Sequence, residues 1–195
     1  VSISTNTWSY GLRIAITYFL SVEMLGIYSK PQLIASAITF LYAINMIIFE
    51  PIIYKEKFDN KIKYFFSNNV LKVMGLNFAV SLVYTLIFFL IKNIGFDNTY
   101  IKNFNDTYIN ELFFIFMIAQ IIHGLYLPIG SKLIALNGSN YSLISIIFSI
   151  LSMSVFLFFE MKSINLISFA TAYLVSETVL LICAYIFLTK IYEKK

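Results

Sequence analysis

The chain has 195 residues, of which 59% are hydrophobic and 12% charged, with 14 Lys and Arg against 10 Asp and Glu. Soluble domains carry roughly 25% charged residues, so the composition excludes an ordinary water-soluble enzyme, and a net charge of +4 builds no basic surface for a nucleic-acid partner. The lone cysteine, Cys183, excludes a disulfide framework and a cysteine-built metal site, and no residue pattern calls for a cofactor.

No formal charge lies between Lys30 and Glu50, Lys72 and Lys92, Glu111 and Lys132, or Lys132 and Glu160. A helix rises 1.5 Å per residue, so about 20 apolar residues match a hydrocarbon core. These runs are longer than barrel strands and do not alternate in polarity. They predict an all-α integral membrane protein with six transmembrane helices, 1–195 forming a single transmembrane lobe without a soluble domain.

The first span, 4–22, has a polar start, holds Arg13, and is predicted to end in a turn closed by Gly26. The second covers 31–53, with Pro31 in its first turn, where a missing N–H costs nothing, and Pro51 near its end. The third, 70–91, stops at Asn93-Ile94-Gly95. The fourth, 110–136, is expected to bend at Pro128; the fifth, 141–159, follows the turn Asn137-Gly138-Ser139-Asn140; the sixth covers 165–189. The polar run from Ser2 to Thr7 is unlike a secretory signal. Starting on Val, the chain reads as a processed chain or a piece of a longer one.

Lys and Arg in the loops set the expected orientation. Lys55, Lys57, Lys61, Lys63, Lys72, Lys132, Lys190, Lys194 and Lys195 fall on one side, against Lys30, Lys92, Lys102 and Lys162 on the other. That bias puts both ends of this segment in the cytoplasm. The basic loop from Tyr54 to Asn69 is either an ordinary topology signal or a short helix held against anionic headgroups.

The stretch from Leu12-Arg13 through Ser21-Val22-Glu23-Met24-Leu25-Gly26-Ile27-Tyr28, Pro51 with the basic loop after it, and Pro128-Ile129-Gly130 through Leu136-Asn137-Gly138 carry a resemblance that covers nearly the whole chain. They resemble helices seven to twelve of the O-antigen and polysaccharide flippases, in the multidrug/oligosaccharidyl-lipid/polysaccharide exporter superfamily. The resemblance implies the C-terminal half of a twelve-helix, two-lobed transporter in the bacterial cytoplasmic membrane. It implies alternating access, with undecaprenyl-pyrophosphate-linked sugar units as the substrate for surface polysaccharide assembly. The implied partners are that lipid-linked oligosaccharide, membrane lipids, a six-helix N-terminal half and a polysaccharide polymerase.

Ionisable residues inside spans are expensive, and each has two readings. Arg13 either pairs in bidentate fashion with the substrate's pyrophosphate or snorkels to an interface. Glu177, near the centre of the last span, costs roughly 2.5–3.5 kcal/mol to insert facing lipid. It is either a proton-coupling carboxyl or a helix tie. His123, with Gln120 about one turn before it, is either a proton relay or a packed histidine. Tyr18 and Tyr126 lie inside spans and are either sugar-contacting or packing residues. Glu50 and Lys132 are expected at interfaces, Glu23 in solvent, and Tyr28 in an interfacial belt. Ser142, Ser145, Ser149 and Ser152 mark one face of the fifth span as a close helix contact.

Three function classes follow. The first is the lipid-linked oligosaccharide flippase, which calls for a cationic cavity. The second is a cation-coupled exporter of drugs or small molecules, which calls for carboxylates in place of Arg. The third is a membrane-embedded enzyme or a structural subunit. For the enzyme, no cluster of His, Asp or Arg stands at a membrane face, and no phosphate-binding Gly-x-x-x-x-Gly-Lys loop is present.

Overall fold

The structure, a computed structural model, describes residues 2–55, 68–93 and 107–193. Helix is the only regular structure among them: α1 Ser2–Phe19, α2 Val22–Ser36, α3 Ile38–Lys55, α4 Asn68–Asn93, α5 Thr107–Ala135, α6 Ser139–Glu160 and α7 Leu166–Glu193. This is an all-α membrane protein. Counting α2 and α3 as one broken helix gives six helical units. Five of them, 22–55, 69–91, 108–135, 139–160 and 166–192, are long and apolar enough to cross a bilayer. The α1 helix is not among these five, in keeping with its polar first turns and Arg13. The central part of the Tyr54–Asn69 loop, at 56–67, lies outside the described residues, as does 94–106.

The first two spans divide differently from the sequence expectation. The break after α1 falls at Leu20-Ser21, where Ser21 is extended and its Oγ accepts the Met24 N–H at 3.1 Å. A serine cap starts α2, and Gly26 lies inside that helix with no neighbour near its Cα side. Pro31 also falls inside α2 rather than in a first turn. The chain stays helical past it and tightens only at Ala37, whose N–H bonds to the carbonyls of both Leu33 and Ile34. The Tyr84 hydroxyl from α4 donates to the Ile34 carbonyl at 2.6 Å. That bond satisfies a backbone oxygen at the break where no water is at hand.

The later turns follow the residues that announce them. Asn137 takes φ 63°, the left-handed conformation that Asn tolerates, and the Gly138 N–H returns to the Leu133 carbonyl. Asn165 caps α7 by accepting the Ser168 N–H at 2.9 Å. Ser142, Ser145 and Ser149 of α6 are buried, and the Ser149 hydroxyl donates to the Ser176 carbonyl of α7 at 2.6 Å. The serine face is therefore a contact between α6 and α7.

The α5 helix is the axis of the bundle. It packs against α2, α3, α4, α6 and α7, and it is the most buried of the long helices. Two apolar cores sit along it. One gathers Phe113, Phe116 and Met117 of α5 with Leu12, Ile16, Tyr28, Ile38 and Phe169. The other gathers Tyr126, Ile129 and Leu133 with Ile53, Val70, Leu180 and Leu188. Tyr28 belongs to the first core, fully buried with its ring 5.0 Å from Phe116, and not to an interfacial belt. Lys132, expected at an interface, is buried as well.

Between the two cores lies a layer of mutually bonded polar groups. Asn45 of α3 donates to Asn77 of α4 at 2.9 Å, and Asn77 donates to the Gly124 carbonyl of α5 at 2.8 Å. Beside them the hydroxyls of Tyr42 and Ser81 bond to each other. Gly124 permits this approach, because a Cβ there would stand 2.7 Å from the Tyr42 ring. That ring is fully buried and held by Ser81, so it has no room to yield. Gly124→Ala is expected to destabilise the bundle by about 1–3 kcal/mol through overpacking. Gly26→Ala, in open helical surroundings, should stabilise it by about 0.5–1 kcal/mol. Thermal unfolding of the two variants in detergent would show midpoint shifts of opposite sign.

Candidate functional site

The polar layer reaches the surface at a cleft between α3 and α5. Its walls are Thr39, Met46, Ile47 and Glu50 from α3 and His123, Tyr126, Leu127 and Ser131 from α5, enclosing about 360 Å³. Ala43 and Ile47, also in the lining, are exposed on the flank of the bundle, so the cleft opens sideways. Glu50 is half-buried here and accepts a bond from the Ser131 hydroxyl at 3.3 Å. Its side chain lines the cleft near the end of α3.

His123 is the link from this cleft to the interior. Its ring lines the cleft, and its Nδ1 lies 3.0 Å from Glu177 Oε2 on α7. Both side chains are buried. The sequence raised each residue separately, and the fold makes them partners. Either alone in hydrocarbon would be costly, whereas a His–Glu pair sharing one proton is net neutral wherever that proton sits. In the neutral pair either an imidazolium donates from Nδ1 to the carboxylate, or the protonated carboxyl donates to Nδ1 of a neutral imidazole; Nε2 carries an N–H in both.

A second rung lies one turn away. Gln120 Nε2 donates to the Tyr173 hydroxyl at 3.2 Å, and that hydroxyl also interacts with Glu177. Gln120 and His123 are three apart on α5, and Tyr173 and Glu177 are four apart on α7. Helical spacing therefore aligns both rungs on facing stripes. Tyr126 extends the line, with its ring 6.1 Å from His123 and its hydroxyl beside Ser142.

Arg13 and Tyr18 are elsewhere. They share a shallow hollow on α1 with Ile14, Thr17 and Leu25, and Tyr18 is 83% exposed. That hollow has no residue in common with the cleft. The structure thus brings together His123, Tyr126 and Glu177, and separately Arg13 and Tyr18. Glu23 is exposed at the start of α2.

No protein-family model, curated protein or solved structure matches this chain.

Glu50, Ser131, Asn45 and Asn77 were not singled out for this site by the sequence reading. The available signal was positional: Asn45 and Asn77 are polar residues in the middle of charge-free spans, where only an internal partner makes them affordable.

The His123–Glu177 pair should show strong energetic coupling. His123→Ala leaves a buried carboxylate without its partner and should cost about 3–5 kcal/mol if that carboxylate stays charged. Glu177→Gln keeps an acceptor for Nδ1 and should cost about 1 kcal/mol or less. Combining His123→Phe with Glu177→Leu should be less harmful than the sum of the two single changes. Unfolding midpoints of the purified variants, arranged as a double-mutant cycle, give the coupling directly.

Proposed function

We propose that the chain forms one lobe of a membrane transporter that flips lipid-linked oligosaccharides across the bacterial cytoplasmic membrane, by alternating access, for surface polysaccharide assembly. The observation that carries this reading is a cleft that opens sideways and sets the polar groups of Thr39, Glu50, His123, Tyr126 and Ser131 among apolar walls, in a bundle whose other flanks are apolar. A substrate with a polyprenyl tail needs such an opening, because its sugars can enter a polar cleft while its tail stays in lipid. The cleft volume lies at the low end of the roughly 300–1,000 Å³ of small-molecule sites, and it would serve as one wall of a cavity completed by the second lobe. Glu50, Ser131 and Tyr126 are suited to sugar hydroxyls, and Arg13 with Tyr18 to the pyrophosphate at a separate point. The His123–Glu177 pair, reached from the cleft through His123, is suited to carrying the coupling proton. The flippase resemblance of the Leu12–Tyr28 and Pro128–Gly138 stretches supports the same assignment, and the lysine bias favours cytoplasmic ends for this segment.

One observation favours a second reading within transporters. The ionisable side chains in and behind the cleft are Glu50, Glu177 and His123, while Arg13 lies outside it. That set also suits a cation-coupled exporter of small cationic molecules.

Deletion of the gene in its own host separates the two. A flippase gives lipid-linked glycan trapped on the cytoplasmic leaflet and surface polysaccharide reduced on the order of tenfold, roughly the scale of losing one catalysed step. Complementation with Arg13→Ala at normal expression should restore only part of it. Unchanged polysaccharide with increased sensitivity to cationic toxic compounds would replace the flippase by the exporter.

A further inference from the structure

Three buried polar atoms near the ladder have no hydrogen-bond partner among the described residues: the Tyr28 hydroxyl, Gln32 Oε1 and Gln120 Oε1. The three residues are 0%, 6% and 3% exposed. Everywhere else in the polar layer the fold finds partners, even for a backbone carbonyl at a helix break. An unsatisfied buried acceptor costs about 1–3 kcal/mol, so three together are an unusual expense in a bundle that otherwise avoids it.

Helical register brings the three side chains to neighbouring levels. Tyr28 and Gln32 are four residues apart on α2 and share one face, as do Phe116 and Gln120 on α5. The chain passes α3, α4 and α5 in successive opposite directions, so α2, which continues into α3, runs the same way as α5. Contact of the Tyr28 and Phe116 rings at 5.0 Å fixes the register, and one turn further along both helices brings Gln32 level with Gln120. Phe116 also stands 6.1 Å from the Tyr173 ring, and Tyr173 takes the Gln120 Nε2 bond. Two amide oxygens and one phenol thus lie at the same height in the bundle, with the Tyr173–Glu177 rung on one side and the Arg13 charge close enough to act on Tyr28.

We propose that Tyr28, Gln32, Gln120 and Tyr173 frame a buried hydration site, holding ordered water between α2, α5 and α7. Water fits the chemistry of the set: both amide oxygens need donors, and a phenol can donate or accept. A water with two to four such partners is stable in an interior. The site deepens the transport reading, because it gives Glu177 a second wet neighbour. One lies through His123 at the cleft; the other lies through Tyr173 inside the lobe.

Radiolytic hydroxyl footprinting of the intact protein in detergent tests this, since buried side chains are labelled quickly only beside bound water. Tyr28 should label at least tenfold faster than Tyr42, which is equally buried but bonded to Ser81. Gln32→Leu should slow labelling of Tyr28 and lower the unfolding midpoint, because it strips a partner from the water. Labelling of Tyr28 as slow as that of Tyr42, with a midpoint raised by Tyr28→Phe and Gln32→Leu, would mean a dry site and overturn the proposal. A wild-type midpoint raised by sodium but not potassium, and insensitive to sodium in Gln32→Leu, would assign the site to a cation and overturn it as well. Neither result bears on the flippase assignment, which stands or falls on the glycan phenotype.

Discussion

Lipid offers no partner to a polar group, and that constraint organises this protein. The backbone meets it by being helical throughout the described spans. The side chains meet it by bonding to one another in a layer between two apolar cores, and the His123–Glu177 contact is the member with most at stake. Removing either partner would strand an ionisable group in hydrocarbon, so the pair commits α5 and α7 to one register. Around that register the second rung, Gln120 to Tyr173, and the serine contact between α6 and α7 fall into place.

Tight helix approach and polar bonding support each other in the layer. Gly124 admits the Tyr42 ring, and the same residue offers its carbonyl to Asn77. A single residue of α5 thereby ties down both α3 and α4. Because α5 touches five other helices, a shift at its polar stripe is felt across the bundle. The cleft lies where this stripe emerges between α3 and α5, and so its lining mixes polar groups with apolar ones while the flanks are apolar.

The broken α2–α3 helix sits on the same side of the molecule as the cleft. Pro31 lies inside α2 and Pro51 inside α3, with the break at Ala37 between them. Each proline lacks an N–H and so leaves the carbonyl four residues earlier, Ile27 or Ile47, without its helix bond, while at the separate break near Ala37 the Tyr84 hydroxyl donates to the Ile34 carbonyl. One wall of the cleft is thus a helix with interruptions, while the opposite wall is the central axis of the bundle. A wall of the first kind is where movement costs least, which matches the alternating access proposed for the lobe.

Charge-free runs of membrane length were enough to fix the class of this protein and the place of most helices. Hydrocarbon thickness leaves few alternatives, and Asn137, Gly138 and Asn165 mark their turns by local backbone chemistry. Local signals failed where two of them competed: Gly26 and Pro31 read as turn and helix start, yet a serine cap at Ser21 began the helix earlier and carried it through both. His123, Glu177, Arg13, Tyr18 and Tyr126 were visible as costly or amphipathic residues inside spans. Which of them belong together was not, because a helix pattern gives the face of a residue but not the helix opposite. Packing decided that His123 meets Glu177, that Glu50 lines a cleft, that Lys132 and Tyr28 are buried, and that Arg13 lies outside the cleft, beside Tyr28. Sequence determined where this chain meets lipid, since that depends on composition along one helix; tertiary structure alone decided the partners, since those depend on two helices brought side by side.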